Sequence, residues 1–144
     1  LQTLRQIELA LFDMQIHTSY DAFGSDSVQN ILDTIRSEIA VLPSPDFNRF
    51  QNSFSHIFAG GYAAGYYSYK WAEVLSSDAF SRFEEEGVFN RDTGADFRNI
   101  ILARGGSEDV TDLFRRFRGR LPDISALLRH TGLTITTVQQ GHQD

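Results

Sequence analysis

The tyrosine-rich segment at residues 54–71 contains the side chains best suited to chemistry; it reads FSHIFAGGYAAGYYSYKW. If a helix begins at its glycine pair, then Tyr62, Tyr66 and Tyr69 stand at positions i, i+4 and i+7 and project into one narrow sector. A phenol donates one hydrogen bond from a mostly apolar ring, and its reference pKa of about 10 keeps the proton in place at neutral pH. Such a column could hold a carbonyl oxygen as it becomes an anion, where one donor contributes about 2.7 to 4 kcal/mol.

The same spacing is also typical of packing, because tyrosines at helical intervals more often line a core or an interface. On spacing alone, that interpretation is favoured. Gly60, Gly61 and Gly65 favour a loop instead, since glycine permits positive φ and close backbone approach but destabilises a helix interior. A flexible, glycine-containing loop that leads into a tyrosine-lined helix could close over a substrate.

Three segments, in order along the chain, carry a resemblance to a known family. Besides residues 54–71, they are ILARGGSED at 101–109 and FRGRLP at 117–122. With these motifs the chain resembles the zinc-dependent oligopeptidases, and it is most similar to their bacterial branch. The resemblance covers nearly the whole chain, from the helix at 10–17 to residues 131–133, where family members usually end.

The resemblance implies zinc chemistry whose central parts lie outside this sequence. The family binds Zn²⁺ through an H-E-x-x-H helix and a downstream glutamate, and the glutamate within the motif acts as general base on metal-bound water. This chain has no H-E-x-x-H motif, no cysteine and no i, i+4 pair among its four histidines. Together with a first residue that is leucine rather than methionine, this indicates the C-terminal portion of a longer zinc metallopeptidase. Alone, that portion is expected to hold no metal and to be inactive.

The resemblance also implies roles for residues of the tyrosine-rich segment. Tyr69 and Tyr62 match the tyrosines that donate hydrogen bonds to the scissile carbonyl, and they are the expected catalytic residues. The expected substrate-binding residues are His56, Tyr66, Gly60 and Gly61. His56 and Tyr62 are six residues apart, as in the bacterial branch. Without the resemblance, His56 would be interpreted as a capping or packing histidine near a loop.

The composition is that of one ordinary domain, and it argues against several function classes. The 144 residues carry a net charge of −6 and a pI near 5.1, which disfavours nucleic acid as the main partner. The absence of cysteine excludes disulfides and agrees with a reducing compartment. No apolar run approaches the roughly 20 residues needed to span a bilayer. The expected location is the cytoplasm, and the expected partners are short peptides and the remainder of the parent polypeptide, with no nucleic acid and no membrane.

Hydrophobic periodicity predicts an all-α chain, which the resemblance places as a multi-helix C-terminal subdomain of a larger, mainly helical metallopeptidase. The apolar residues of the first predicted helix are Leu4, Ile7, Leu11, Met14 and Ile16. The second helix is expected to be capped by Ser25 or Asp26. Its apolar residues are Val28, Ile31, Leu32, Ile35 and Ile39. Pro43 and Pro45 end it, which places a linker at about 42–46.

Further helices are predicted along the rest of the chain. The tyrosine helix is expected at about 61–86, with Gly87 as its terminator. Another helix is expected at about 92–103. Ser107 is the expected N-cap of the next helix, and Pro122 is expected to open the last, short one.

Two charge clusters suggest functions that the sequence does not favour. The arginine run at 115–120 could contact RNA or a substrate carboxylate, but in an acidic chain it more often forms a solvated or ion-paired helix end. The three glutamates at 84–86 indicate a solvated helix terminus rather than a metal site, because consecutive carboxylates on a helix point in different directions.

The functional interpretation is therefore the C-terminal portion of a zinc metallo-oligopeptidase that hydrolyses short peptides. Residues 1–133 are assigned to the helical end of its catalytic domain and 134–144 to a polar C-terminal tail. The alternative from another class is a non-catalytic helical module whose tyrosine face binds a peptide or a protein by packing. Nucleic-acid binding through the arginine run would require salt-dependent affinity and ranks below both.

Overall fold

The computed structural model describes residues 1–133, and every regular element in that range is a helix. The α-helices are α1 (Gln2–Thr18), α2 (Val28–Ile39), α3 (Ser55–Phe58), α4 (Ser68–Glu86), α5 (Arg91–Asp96), α6 (Val110–Arg118) and α7 (Ser125–His130). A 3₁₀ helix (Phe50–Ser53) precedes α3, and a π-helix (Phe97–Leu102) continues α5. The all-α prediction is confirmed for these residues.

The chain divides into two compact units, residues 1–70 and the residues from Trp71 onward, and the boundary falls inside α4. The predicted linker at 42–46 lies in the first unit between α2 and the 3₁₀ helix, and none of its residues is helical. The predicted tail at 134–144 lies outside the described residues. Among the described helices, none is both long and apolar enough to cross a membrane.

Helix α2 buries the face that its sequence predicts. Its buried residues include Ile31, Leu32 and Ile35, and the partly buried Val28 and Ile39 pack against the same core. The predicted cap at Ser25 or Asp26 is wrong. The Ser27 hydroxyl, directly before the helix, accepts a hydrogen bond from the Asn30 amide at 3.1 Å and satisfies a donor that the helix leaves unpaired.

Helix α1 buries a face that differs from the predicted one. Leu4, Leu11 and Met14 of the predicted face are 38%, 44% and 36% exposed. The buried residues of the helix are Glu8, Leu9, Phe12 and Asp13. Glu8 enters the interior because Arg36 of α2 donates to its carboxylate at 3.0 Å, and an ion-paired carboxylate can be buried where an unpaired one is too costly.

The core of the first unit joins α1, α2 and the tyrosine-rich segment. Its buried residues are Leu9, Phe12, Ile31, Leu32, Ile35, Phe54, Ile57 and Tyr66. The Phe54 ring stacks on Phe12 at 6.5 Å and meets the edge of Tyr66 at 5.0 Å between ring centroids. The tyrosine-rich segment is thus fastened to the core through Phe54 and Tyr66.

The second unit has a smaller, aromatic core. Its buried cluster is Ala79, Phe114 and Phe117, with Leu75, Phe83, Phe97, Ile100 and Ile101 packed against it. Helix α4 ends before Gly87 as predicted, and the φ of 108° at that residue lies in the region that favours glycine. The helix predicted at 92–103 is confirmed as α5 and its π-helical continuation.

Two predicted helix starts in the second unit are wrong. Helix α6 is capped by Asp109 and not by Ser107, because the Asp109 carboxylate accepts two backbone amides at 2.8 and 3.2 Å and complements the helix dipole. Helix α7 begins at Ser125 and not at Pro122. The chain stays non-helical up to that point because the Asp123 amide donates a hydrogen bond, at 2.7 Å, to the buried Asp78 carboxylate of α4.

Candidate functional site

The predicted helical column of tyrosines is replaced by a turn. Helix α4 begins at Ser68, so Tyr62 and Tyr66 precede it and only Tyr69 is helical. The helix cannot extend back to the glycine pair because Ala64 has a φ of +52°, outside the right-handed helical region. The prediction that these tyrosines share one helix edge is therefore wrong.

The turn nevertheless brings the same three rings together. Tyr62 and Tyr69 are stacked with ring centroids 5.2 Å apart, and the edge of Tyr66 meets Tyr69 at 5.1 Å. His56, at the exposed side of α3, lies 6.2 Å from Tyr62 and 5.9 Å from Tyr66 between ring centroids. We refer to His56, Tyr62, Tyr66 and Tyr69 as the aromatic cluster.

Gly60 and Gly61 close the loop that carries Tyr62 back onto α3. A Cβ at Gly60 would lie 2.9 Å from both the Cα and the carbonyl oxygen of His56, and Gly61 has a φ of +79°. With both glycines in place, the Gly60 amide donates to the Ser55 carbonyl at 2.8 Å and the Tyr62 amide donates to the His56 carbonyl at 3.0 Å. These bonds satisfy the carbonyl oxygens of two α3 residues and fix the position of the Tyr62 backbone beside that helix.

The members of the aromatic cluster differ in their access to solvent. Tyr66 is 8% exposed and belongs to the core, whereas Tyr62 and Tyr69 are 36% and 38% exposed. Tyr62 and Tyr69 thus combine mutual ring contact with an accessible surface. Tyr66 packs against Tyr69 from the core.

The surroundings of Tyr69 raise the pKa of its phenol. A hydrogen bond with the Tyr62 side chain raises the pKa of Tyr69, and partial desolvation and the neighbouring phenols Tyr62 and Tyr66 act in the same direction. A phenol with a raised pKa keeps its proton at neutral pH and well above it. Tyr69 is therefore a neutral hydrogen-bond donor rather than a base or a nucleophile.

A residue that the sequence analysis missed holds the turn in place. Asp13 of α1 is fully buried, and its carboxylate accepts hydrogen bonds from the amides of Ala64 at 2.9 Å and Tyr66 at 2.8 Å. His17 Nδ1 lies 2.9 Å from the same carboxylate. The only signal in the sequence is an aspartate beside Phe12 in the apolar run ALFDM, because its backbone partners lie more than 50 residues further along the chain.

The two charge clusters of the second unit are engaged in ion pairs, which confirms the prediction for the arginine run, whereas the three glutamates were expected to be solvated. The buried Asp78 carboxylate accepts from Arg120 at 2.5 and 2.6 Å and from Arg118 at 3.2 Å. Burial acts to raise the pKa of Asp78, but bonds from Arg120, the Asp123 amide and the charge of Arg118 outweigh it, and the pKa is lowered. The three glutamates at 84–86 each contact different partners, as their spacing predicts.

The residues present do not fit the zinc that the resemblance implies. Among residues 1–133, no three His, Cys, Asp or Glu side chains are grouped so that they could hold a metal ion. The aromatic cluster contains a single histidine and no carboxylate. Its chemistry is that of orienting a hydrogen-bond acceptor, and no step through a metal is derived from it.

Comparison with known proteins decides the family. The sequence profile described as Peptidase family M3 matches residues 1–133, which include both compact units up to the end of the described chain. The chain belongs to this family. The resemblance inferred from the three motifs is thereby confirmed.

Individual relatives within peptidase family M3 match over most of the chain. Oligopeptidase A of Escherichia coli (strain K12) is 56% identical over 130 residues, which are 90% of this chain and 19% of that protein. A probable cytosolic oligopeptidase A of Arabidopsis thaliana is 49% identical over 135 residues, 91% of this chain and 19% of the relative. A dipeptidyl carboxypeptidase of Escherichia coli (strain K12) is 39% identical over 130 residues, with 90% and 19% covered. The chain thus spans about a fifth of the length of these relatives.

Proposed function

We propose that this chain is the C-terminal helical part of the catalytic domain of a zinc metallo-oligopeptidase, and that it supplies the surface that grips the peptide bond. The observation that carries the proposal is the contact between Tyr62 and Tyr69, two accessible phenols whose rings stack at 5.2 Å. Membership in peptidase family M3 and the peptidase names of its relatives support it. The substrates are short peptides.

In this proposal Tyr69 and Tyr62 donate hydrogen bonds to the carbonyl oxygen of the scissile bond. That oxygen gains negative charge when the carbonyl carbon is attacked, and donors fixed in advance stabilise the charge without reorganising. The raised pKa of Tyr69 fits this role, because a donor must keep its proton. His56 borders the peptide, Tyr66 supports the rings, and the glycine pair lets the peptide approach the backbone.

Zinc and the general base are proposed to come from the remainder of the parent polypeptide. When bound there, zinc would supply an activated water. The isolated chain is accordingly proposed to be inactive. The proposed location is the cytoplasm.

The substitution Tyr69→Phe in the full-length protein tests the proposal. It removes one hydroxyl and leaves the ring that packs on Tyr62. We expect kcat for a short peptide to fall about 100- to 1000-fold, with a much smaller change in KM, because the lost bond strengthens in the transition state.

Tyr67→Phe is the matched control. Tyr67 lies in the same turn and is 51% exposed, but its ring makes no contact with the aromatic cluster among the described ring pairs. Steady-state kinetics of this variant should match those of the unmodified enzyme. Unchanged turnover in Tyr69→Phe would remove the phenol from the mechanism.

The second candidate is a helical module that binds a partner without catalysis, and one observation favours it. The second unit contains an apolar cavity of about 630 Å³ whose lining includes Leu75, Phe80, Phe83 and Phe97. In the peptidase proposal the remainder of the parent polypeptide is the partner that covers such surfaces. The coding sequence upstream of Leu1 discriminates between the two: an H-E-x-x-H motif supports the peptidase, and a nearby start codon supports the module.

A further inference from the structure

The carboxylate of Asp13 connects α1 to the turn that carries the tyrosines. One oxygen, Oδ1, accepts the Ala64 amide at 2.9 Å, and the other, Oδ2, accepts the Tyr66 amide at 2.8 Å. The two amides belong to residues on either side of Gly65, so a single side chain spans the bend. Asp13 is 0% exposed and touches no surface from which a peptide could approach.

Burying a carboxylate costs free energy unless hydrogen-bond donors surround it. The donors around Asp13 come from the turn and from α1 itself. Two donors are the backbone amides of the turn. The third is His17, whose Nδ1 lies 2.9 Å from Oδ1 and also 2.9 Å from the Asp13 carbonyl oxygen. His17 sits one turn further along α1, where it orients the carboxylate toward the amides.

The turn depends on this carboxylate because its local sequence does not favour its shape. Ala64 is the one non-glycine residue with positive φ in the described chain. A residue with a Cβ is disfavoured in that conformation, because the Cβ comes close to the following carbonyl oxygen. Asp13 accepts from both the Ala64 and the Tyr66 amide, so it is the partner from outside the segment that holds the bend.

We propose that Asp13 is a positioning residue for the aromatic cluster, oriented in turn by His17. It acts through the Ala64 and Tyr66 amides, which set where the Tyr66 ring supports Tyr69 and how Tyr69 meets Tyr62. The inference rests on the proposed function for its kinetic consequence. Its structural consequence, the locking of the turn, is independent of that function.

The kinetic test is Asp13→Asn in the full-length protein. The amide keeps one acceptor oxygen but presents an NH₂ group to the other backbone donor, so one of the two bonds is lost. We expect kcat to fall about 10- to 100-fold with little change in KM, because small displacements of aligned donors are costly. The matched control is Glu8→Gln, which alters another buried carboxylate of α1 whose hydrogen-bond donors are Arg5 and Arg36 rather than amides of the turn. We expect its kcat to stay close to that of the unmodified enzyme.

A double-mutant cycle separates positioning from general damage. If Asp13 acts through the tyrosines, Asp13→Asn should cost far less in a Tyr69→Phe background than in the unmodified enzyme. Additive losses would overturn the proposal. If Tyr69→Phe alone leaves turnover unchanged, the proposed function fails and the amide measurement below decides the positioning role by itself.

Hydrogen exchange in the 144-residue chain provides that measurement. The Ala64 and Tyr66 amides should exchange slowly in the unmodified chain and in Glu8→Gln, and much faster in Asp13→Asn, while α2 amides remain protected. Equal protection in both variants would overturn the proposal. Should Asp13→Asn also expose α2, His17→Gln takes its place, since it removes the group that orients the carboxylate and should thereby weaken the two amide bonds while both acceptor oxygens remain. A selective gain in exchange at Ala64 and Tyr66 then supports the proposal, and no gain contradicts it.

Discussion

Within residues 1–133, each compact unit completely buries one aspartate, and the two carboxylates are held in different ways. Asp78 of the second unit is surrounded by the guanidinium groups of Arg118 and Arg120 together with one backbone amide. Asp13 of the first unit is held by two backbone amides and a histidine. Guanidinium groups neutralise the charge of a carboxylate and so favour stability. Backbone amides from a distant segment bind the carboxylate instead, and this fixes the position of that segment. The difference indicates that the second unit is stabilised by its carboxylate and the first is shaped by it.

The largest expected effect comes from removing the charge at Asp78. Asp78→Asn removes the buried carboxylate partner of Arg118, whose side chain is 6% exposed, and leaves it the exposed Glu85. Breaking one side of a buried pair commonly costs 3 to 5 kcal/mol, and we expect about 3 because Arg120 is 43% exposed and can be rehydrated. Urea unfolding followed by circular dichroism measures the loss.

The exposed carboxylate Asp112 supplies the control for this substitution. It pairs with Arg115, and both side chains are more than half exposed. Asp112→Asn should therefore lower the free energy of unfolding by less than about 1 kcal/mol. A similar small loss for Asp78→Asn would remove the contrast between the two units.

The pH dependence of stability provides a further test of the role of Asp78. The pKa of Asp78 in the folded protein lies below its ordinary value of 3.8, so its contribution to stability is present above that pH and is lost as the pH falls through the folded value. Stability measured by urea unfolding should thus decline below about pH 4. Asp78→Asn should decline less steeply over the same range. Parallel curves would show that Asp78 is not a source of the acid sensitivity.

A smaller effect on stability is expected when either of two glycines with contrasting surroundings, Gly60 and Gly94, is replaced by alanine. Gly60→Ala places a Cβ 2.9 Å from the His56 backbone, so α3 or the loop must shift, at a cost of about 1 to 3 kcal/mol. Gly94→Ala, inside α5 with no atom within 4 Å of the added Cβ, should instead stabilise by about 0.5 to 1 kcal/mol. Thermal unfolding of both variants measures the pair. A gain in stability for Gly60→Ala would contradict the close approach of residue 60 to the His56 backbone.

The sequence predicts the residues of the candidate site better than their geometry. The three motifs identify the family, and the tyrosines predicted to act together do meet. Their arrangement on one helix is wrong, because periodicity cannot anticipate an alanine at positive φ that is held by a distant carboxylate. Local signals are reliable where the partners are local, as on the buried face of α2.

The same reasoning explains the errors elsewhere in the fold. The inward face of α1 was mispredicted because Glu8 is buried by an arginine 28 residues away, and apolar counting treats every carboxylate as exposed. The cap of α6 was assigned to Ser107, two residues before the aspartate whose backbone conformation suits the role. The type of a residue indicates which contacts it can make, and its partners elsewhere in the chain decide which of them form.

Tyr66 has a consequence for how this protein can change over evolutionary time. Its ring is part of the interior through Phe54 and also touches Tyr69 at the surface. A substitution that enlarges or empties the interior near Phe54 would reach the exposed phenols through one intervening ring. Under the proposed function, selection on turnover would then act on interior positions that no substrate meets, and members of peptidase family M3 should vary less there than folding alone demands.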